Sequence, residues 1–147
     1  MTYCLTSDLS EWVLPAYLEA AEAQNAGILE KCVQSVSAEI DDALRGRFVL
    51  PLTTIPETIR RLCGVLAAYR ALGDITSLVA TEAGSDNEFL FIQREASKAA
   101  RDLADLRAGK LDALLIEAGA ETPAADSGSM RVLAPPPLFG PGVWEKF

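Results

Sequence analysis

The segment from Asp41 to Leu72 constrains the fold of this chain more than any other stretch. It combines the end of an amphipathic helix, a crossing segment over residues 47–55, and a helix led by Pro56 that is apolar on nearly all sides. A helix with two apolar faces cannot expose both of them to water. We therefore predict that the Pro56-led helix is central and is buried between neighbouring elements.

The crossing segment, RFVLPLTTI, is not predicted to be helical throughout. Pro51 and the β-branched residues around it favour extended backbone, and a proline restricts any strand to the edge of a sheet. We expect the segment to run across the bundle, with a short edge strand as the alternative. The side chains expected to lie on the core are Phe48, Leu50 and Leu52.

Helical periodicity accounts for most of the remaining chain. Apolar residues recur at steps of three and four over residues 28–46, which is the clearest amphipathic pattern. Pro15 should kink the first helical region at Leu14. Two capping-box spacings, Asp8 with Glu11 and Ser85 with Glu88, indicate helix starts. The predicted helical regions are 7–24, 28–46, 56–72, 86–108 and a short piece over 111–118.

These patterns predict an all-α protein, a small bundle of four to five helices over residues 1–118 with an extended Pro-rich C-terminal arm over residues 119–147. The arm holds five of the eight prolines of the chain and has no helical period. Because its end is rich in apolar residues, we predict that the arm docks onto a neighbouring molecule; a frayed terminus is the alternative. The candidate partner-binding residues are Val132, Leu133, Leu138, Phe139, Trp144 and Phe147.

Catalytic chemistry is not expected. The chain has no histidine, so it lacks the commonest general base and the commonest transition-metal ligand. Cys4, Cys32 and Cys63 show no C-x-x-C spacing; we expect no disulfide framework, with Cys32 and Cys63 acting as small hydrophobes. The sequence contains no Gly-rich phosphate loop. We therefore predict no enzyme activity and no catalytic, metal or cofactor site.

The charge of the chain bears on its partners. A formal net charge of −8, spread along the sequence, repels phosphate backbones and anionic lipid. A protein that grips DNA is disfavoured, whereas a wall past which DNA slides is compatible with this charge. No apolar run approaches the roughly 20 residues of a membrane span, and no basic signal region opens the chain. We expect a soluble protein made in a cytoplasm, without membrane association.

Three stretches carry a resemblance to a family of phage and prophage proteins named for a Mu-like phage. They are the opening YCLTSDL, the DDALRGRFVLPL segment, and the Pro56-led helix ending in AAYRAL with the long helix ending at LRAGKLDAL. Phe48 stands where the family pattern leads us to expect tyrosine. The resemblance has no catalytic signature, and no catalytic or ligand-binding residue is carried over from it.

The resemblance implies a head-to-tail connector, also called an adaptor or head-completion protein. Such proteins are similar to helical subunits that form a ring, commonly of twelve copies, beneath the portal at the head–tail junction of the virion. The implied partners are further copies of the chain, the portal protein, and a tail-side connector or tail terminator protein. DNA would be passing cargo in the channel.

The residues alone leave other functions open. One alternative is a cytoplasmic helical module of a prophage or bacterium that binds a peptide or regulator in a groove between helices. A weaker alternative is a nucleic-acid-binding regulator that uses Arg45, Arg47, Arg60 and Arg61.

Overall fold

The computed structural model describes residues 2–73 and 89–123, and this part of the chain is all-α. The only bridge pairing in it is an isolated one between Arg45 and Phe48, so the crossing segment forms no edge strand there. The helices are a 3-10 helix over Thr6–Glu11, then α1 (Pro15–Gln24), α2 (Ile28–Leu44), α3 (Glu57–Ala71), α4 (Leu90–Arg107) and α5 (Asp112–Glu117).

The predicted central helix is α3, which packs against α2 on one side and α4 on the other. Nine of its fifteen residues are buried, including every position from Leu62 to Ala68. Both of its apolar faces are therefore covered by the chain itself. Its neighbours on these two faces are α2 and α4 of the same molecule, as the prediction of a central helix requires.

The entry to α2 is built by a side chain from the preceding helix. Gly27 precedes α2 with φ of 80°, a left-handed conformation that suits glycine. The Glu22 carboxylate of α1 accepts hydrogen bonds from the Gly27 N–H at 2.5 Å and the Leu29 N–H at 3.4 Å. An acidic group at a helix N-terminus both satisfies backbone donors and complements the helix dipole.

Two predicted helix starts differ from the observed ones. Asp8 is not an N-cap: it lies three residues into the 3-10 helix, and its carboxylate accepts the Leu5 N–H at 2.9 Å from within that helix. Pro56 is the N-cap of α3 and not its first helical residue. The Ser85–Glu88 capping box and the predicted start of the fourth helix at Asp86 lie outside the described residues.

The crossing segment connects α2 to α3 with little regular structure. Phe48 and Leu52 are buried in the core, and Leu50 packs partly buried against it, as predicted. The peptide between Leu50 and Pro51 is cis. In α4 the apolar pattern also leads one to expect Ala100 in the core beside Ala99, but Ala100 is exposed because it lies off the face that faces α3.

Candidate partner-binding surface

The six candidate residues of the C-terminal arm, from Val132 to Phe147, lie outside the described residues. The structure does describe the root of the arm. The Val49 N–H donates to the Glu121 carbonyl at 2.8 Å, and Ala120 is buried beneath this contact region. The first residues of the arm are thus held against the crossing segment.

A first exposed apolar surface lies between the start of α1 and the start of α4. It is a shallow cavity of about 100 Å³ with mostly aromatic walls. Tyr17 and Phe89 form its floor through an edge-to-face ring contact with centroids 5.0 Å apart. Leu14 and Phe91 are 64% and 58% exposed at its rim. We call this surface the aromatic groove; its residues are Trp12, Val13, Leu14, Tyr17, Phe89, Phe91 and Ile92.

A second exposed apolar surface lies on α5. Leu114 and Ile116 are each 53% exposed, and Leu114 also lines a small apolar cleft between α5, α4 and the start of α3. We call Leu114 and Ile116 the α5 edge. Leu115, between them, faces inward and is buried, so the α5 edge is the outer side of a helix that is anchored on its inner side.

The aromatic groove and the α5 edge lie at opposite ends of α4. The groove uses Phe91 near the N-terminus of α4, while the cleft beside the α5 edge uses Leu106 near its C-terminus. At a rise of about 1.5 Å per residue, these two positions are roughly 22 Å apart. The described part of the molecule therefore carries two separate apolar surfaces.

The arginines proposed as a nucleic-acid surface are all paired with carboxylates. Arg45 lies 2.9 Å from Asp42, and Arg60 lies 3.8 Å from Glu57. Arg61 of α3 contacts carboxylates of α4. Paired guanidinium groups have less positive potential to offer a phosphate. This arrangement argues against the nucleic-acid-binding alternative.

Arg47, the fourth of these arginines, joins three helix ends. Its guanidinium donates to the Asp112 carboxylate at the start of α5, to the Ala43 carbonyl of α2 at 2.6 Å, and to the Leu106 carbonyl of α4. The last turn of a helix leaves carbonyls without intrahelical partners, and a cation there also complements the helix dipole. We call this set of contacts the Arg47 clamp, and its role is structural.

Gly109 is required next to the Arg47 clamp. It has φ of 77°, and an added Cβ would lie 2.9 Å from the Arg47 guanidinium. The N–H groups of Gly109 and Lys110 donate to the carbonyls of Leu106 and Asp105, the pattern of a Schellman motif that ends α4.

The first residues of the chain form a strap across α2 and α3. Tyr3 is buried; its N–H donates to the Ser37 hydroxyl at 3.2 Å, and its own hydroxyl donates to the Asp41 carboxylate. Burial, followed by the hydrogen bond to Asp41, raises the pKa of Tyr3 well above its usual value. Cys4, the next residue, is buried against Cys63.

Sequence reasoning missed both the aromatic groove and the strap. Phe91 could have been found, because it lies off the apolar face set by Ile92, Ala96 and Ala99, which leaves it exposed. Leu14 precedes Pro15 at the predicted kink, and as the N-cap of α1 it is exposed between the buried residues Val13 and Leu18. The strap had no comparable signal, because its partners lie 34 or more residues away.

Two features that would indicate other functions are absent from the described ranges. Residues 2–73 and 89–123 contain no cluster of three or more potential metal ligands. Over the same ranges, no helix has the length and apolar character needed to cross a membrane.

Comparison with known families identifies the lineage of the chain. A family model described as Bacteriophage Mu, Gp36 matches residues 3–132, from the strap through the helical bundle and into the arm. The chain belongs to this family. The matched range includes the aromatic groove, the Arg47 clamp and the α5 edge, so all three lie within the part shared with the Gp36 family.

A curated relative agrees with this assignment. The chain is similar to the Mu-like prophage FluMu protein gp36 of Haemophilus influenzae, with 35% identity over 54 residues. The aligned stretch covers 37% of this chain and 38% of that relative, which is well under half of either protein. The protein is therefore a phage protein of the Mu Gp36 family with an all-α fold over its described residues.

Proposed function

We propose that this protein is a non-catalytic subunit of the head-to-tail connector of a tailed phage. In this proposal it forms a ring under the portal at the head–tail junction of the virion, extends the DNA channel, and docks the tail-side connector or tail terminator. Membership of the Mu Gp36 family supports the phage role. The observation that carries the ring is the presence of two different apolar surfaces at opposite ends of α4.

Two different surfaces suit a ring better than a simple dimer. A two-fold dimer uses one self-complementary surface, whereas a closed ring repeats a contact between two unlike surfaces. We place the α5 edge of one subunit in the aromatic groove of the next. The groove is far smaller than the roughly 300 Å³ typical of a small-molecule site, so one or two aliphatic side chains suit it.

The charge distribution is consistent with unlike neighbouring faces. Residues 1–30 contain five acidic residues and no lysine or arginine. The outer side of α4 exposes Arg94 and Arg101, which lie two helical turns apart, while Lys98 between them pairs with Glu95. Faces of opposite charge steer copies into a head-to-tail orientation and oppose head-to-head pairing. The overall negative charge would keep passing DNA from adhering to the channel wall.

The arm adds a second contact in this proposal. Residues 124–147 follow the fixed root at Glu121 and could reach roughly 80 Å if fully extended. This exceeds the separation of the two apolar surfaces. We propose that the apolar residues between Val132 and Phe147 anchor the arm on an adjacent subunit or on the portal, because buried aromatic anchors commonly dominate interfaces.

The arm is tested in the phage itself. A gene that lacks residues 130–147 should give a protein with the helical circular-dichroism spectrum of the full chain, but heads without tails. Electron microscopy of lysates counts tailed and untailed particles. Normal numbers of tailed particles would refute the role of the arm.

The ring contact is tested with matched charge substitutions at exposed apolar residues. Phe91→Glu alters the aromatic groove and Leu114→Glu the α5 edge, while Leu5→Glu is a control at a 65% exposed residue that belongs to neither. Native mass spectrometry, with and without the portal protein, measures assembly. We expect rings from wild type and Leu5→Glu, and none from either of the other two variants alone.

Mixing the two interface variants makes the test specific. The intact groove of the Leu114→Glu subunit can still accept the intact α5 edge of the Phe91→Glu subunit, so the mixture should give heterodimers that cannot grow into rings. Symmetrical homodimers of either variant, or rings that ignore both substitutions, would refute the head-to-tail contact.

The aromatic groove also supports a second candidate, a helical module that binds a peptide with apolar anchors. Grooves of this type accept amphipathic helices through a few side chains. The two functions differ in oligomeric state. A protein that stays monomeric beside the portal, and that loses a peptide ligand on Phe91→Glu while tails still join normally, would favour this candidate.

A further inference from the structure

Cys4 and Cys63 are brought together although 59 positions separate them in sequence. Their sulfur atoms lie 3.0 Å apart, about 1 Å more than a disulfide bond, and both side chains are buried. No disulfide joins any of the three cysteines in this structure. Cys32 lies on α2 and is also buried, so it serves as a control cysteine that does not belong to the pair.

The surroundings of the pair favour one sulfur as the nucleophile. The Cys4 thiol donates to the Cys63 sulfur, and the Ser37 hydroxyl lies 3.5 Å from the same sulfur. The hydrogen bond from Cys4 lowers the pKa of Cys63, while the same bond and burial raise the pKa of Cys4. While the strap is closed, the thiolate, which is the reactive form, is thus better stabilised on Cys63.

We propose that Cys4 and Cys63 are a disulfide-forming pair that staples the N-terminal strap to α3 when the protein meets a low-molecular-weight disulfide such as oxidised glutathione. In the first step a cysteine thiolate attacks the oxidant, forms a mixed disulfide and releases one glutathione thiol. In the second step the other cysteine thiolate attacks the protein sulfur of that mixed disulfide and releases the second glutathione thiol. The two cysteines together lose two electrons and two protons, and the oxidant is reduced to two thiols.

Access to the buried pair is provided by the strap itself. Cys4 lies in the strap, which is outside the helices, and irregular segments can open locally at a lower free energy than packed helices. When the strap lifts, both sulfurs become reachable; when it returns, they are again in contact. A phage protein is made in a reducing cytoplasm and leaves it at lysis, so oxidation would accompany release. The chemistry itself does not depend on the proposed connector function.

The test uses the full-length protein, incubated with oxidised glutathione or with dithiothreitol. Each sample is unfolded in guanidinium with an alkylating reagent, and intact-mass spectrometry counts the alkylated thiols. We expect three thiols in the reduced protein and one, Cys32, in the oxidised protein. A proteolytic digest should contain a Cys4–Cys63 crosslinked peptide. The Cys32→Ala control should form the same crosslink, and Cys4→Ala should form none.

Thermal unfolding provides an independent readout. Closing a loop of this length restricts the unfolded chain, so the oxidised protein should unfold at least about 5 °C above the reduced one, and dithiothreitol should reverse the shift. Cys4→Ala should show no oxidant-dependent shift. Three thiols after oxidation, a crosslink to Cys32, glutathione adducts alone, or a lowered unfolding temperature would each overturn the proposal.

Discussion

Replacing Arg47 by alanine should destabilise the protein more than any other single change at its arginines. The substitution removes three hydrogen bonds of a charged donor, to Asp112, Ala43 and Leu106. Hydrogen bonds to charged groups contribute about 1.5–3 kcal/mol each when fully buried. The Arg47 side chain is 28% exposed, so water replaces part of what is lost.

The expected loss is therefore less than the sum of three bonds. The Leu106 carbonyl still accepts the Gly109 N–H, and the Asp112 carboxylate can turn toward solvent. The Ala43 carbonyl, near the end of α2, loses its side-chain donor. We expect Arg47→Ala to lower the free energy of unfolding by about 2–3 kcal/mol, and the unfolding temperature by about 5–10 °C for a chain of this length.

Arg45 is the matched control, two residues away. Its side chain is 75% exposed and pairs with Asp42 one helical turn earlier, an interaction worth at most about 0.5 kcal/mol. Urea and thermal unfolding followed by circular dichroism at 222 nm compare the variants. Arg47→Lys should fall between Arg47→Ala and wild type, because a lysine keeps the charge but loses the planar fork. Equal unfolding temperatures for Arg47→Ala and Arg45→Ala would refute the clamp.

Three further predictions follow from single positions. Gly109→Ala should cost about 1–2 kcal/mol of unfolding free energy in urea titrations, because alanine is strained at positive φ and its Cβ crowds the Arg47 guanidinium; equal stability would contradict this. The hydrogen bond from Arg70 lowers the pKa of Glu39. The pair therefore stabilises the fold at pH values above the unfolded-state pKa of Glu39, and this contribution is lost as the pH falls through the folded-state pKa of Glu39. Glu39→Gln should accordingly flatten the fall in urea midpoint between about pH 5 and pH 3, and an unchanged slope would count against the pair. Tyr3→Phe should lower stability by about 1 kcal/mol at neutral pH and reduce the loss of stability at alkaline pH, because the raised folded-state pKa of Tyr3 stabilises only its protonated form. Urea midpoints at pH 7 and above about pH 10 test both effects, and an unchanged alkaline loss would contradict the second.

Local periodicity predicted most of the helical architecture. The apolar steps of α2, the all-round apolar character of α3 and the kink before Pro15 all correspond to observed elements. These features depend on residues within a few turns of one another, which is why a single sequence reveals them. The errors at helix starts also come from local spacing, which does not show on which side of a helix boundary a residue lies. Asp8 was expected to precede its helix, but its carboxylate accepts the Leu5 N–H from within the 3-10 helix.

Long-range pairing was beyond the reach of such reasoning. The partners of Arg47 lie 59 and 65 positions away in α4 and α5, and Asp102 of α4 accepts a hydrogen bond from Arg61 of α3, 41 positions away. The strap contacts of Tyr3 and Cys4 are equally remote in sequence. Nothing in the spacing of these residues identifies their partners, since the bundle topology decides which surfaces meet.

Because α3 is buried by helices of its own chain, the fold of a subunit and its assembly with other copies can be independent events. A subunit whose central helix is already enclosed by its own chain keeps that helix covered whether or not it is assembled. In obligate oligomers the two events are coupled, and unassembled copies are lost to proteolysis. If the proposed ring forms, its timing would therefore be set by the contacts between finished subunits and not by the folding of each subunit.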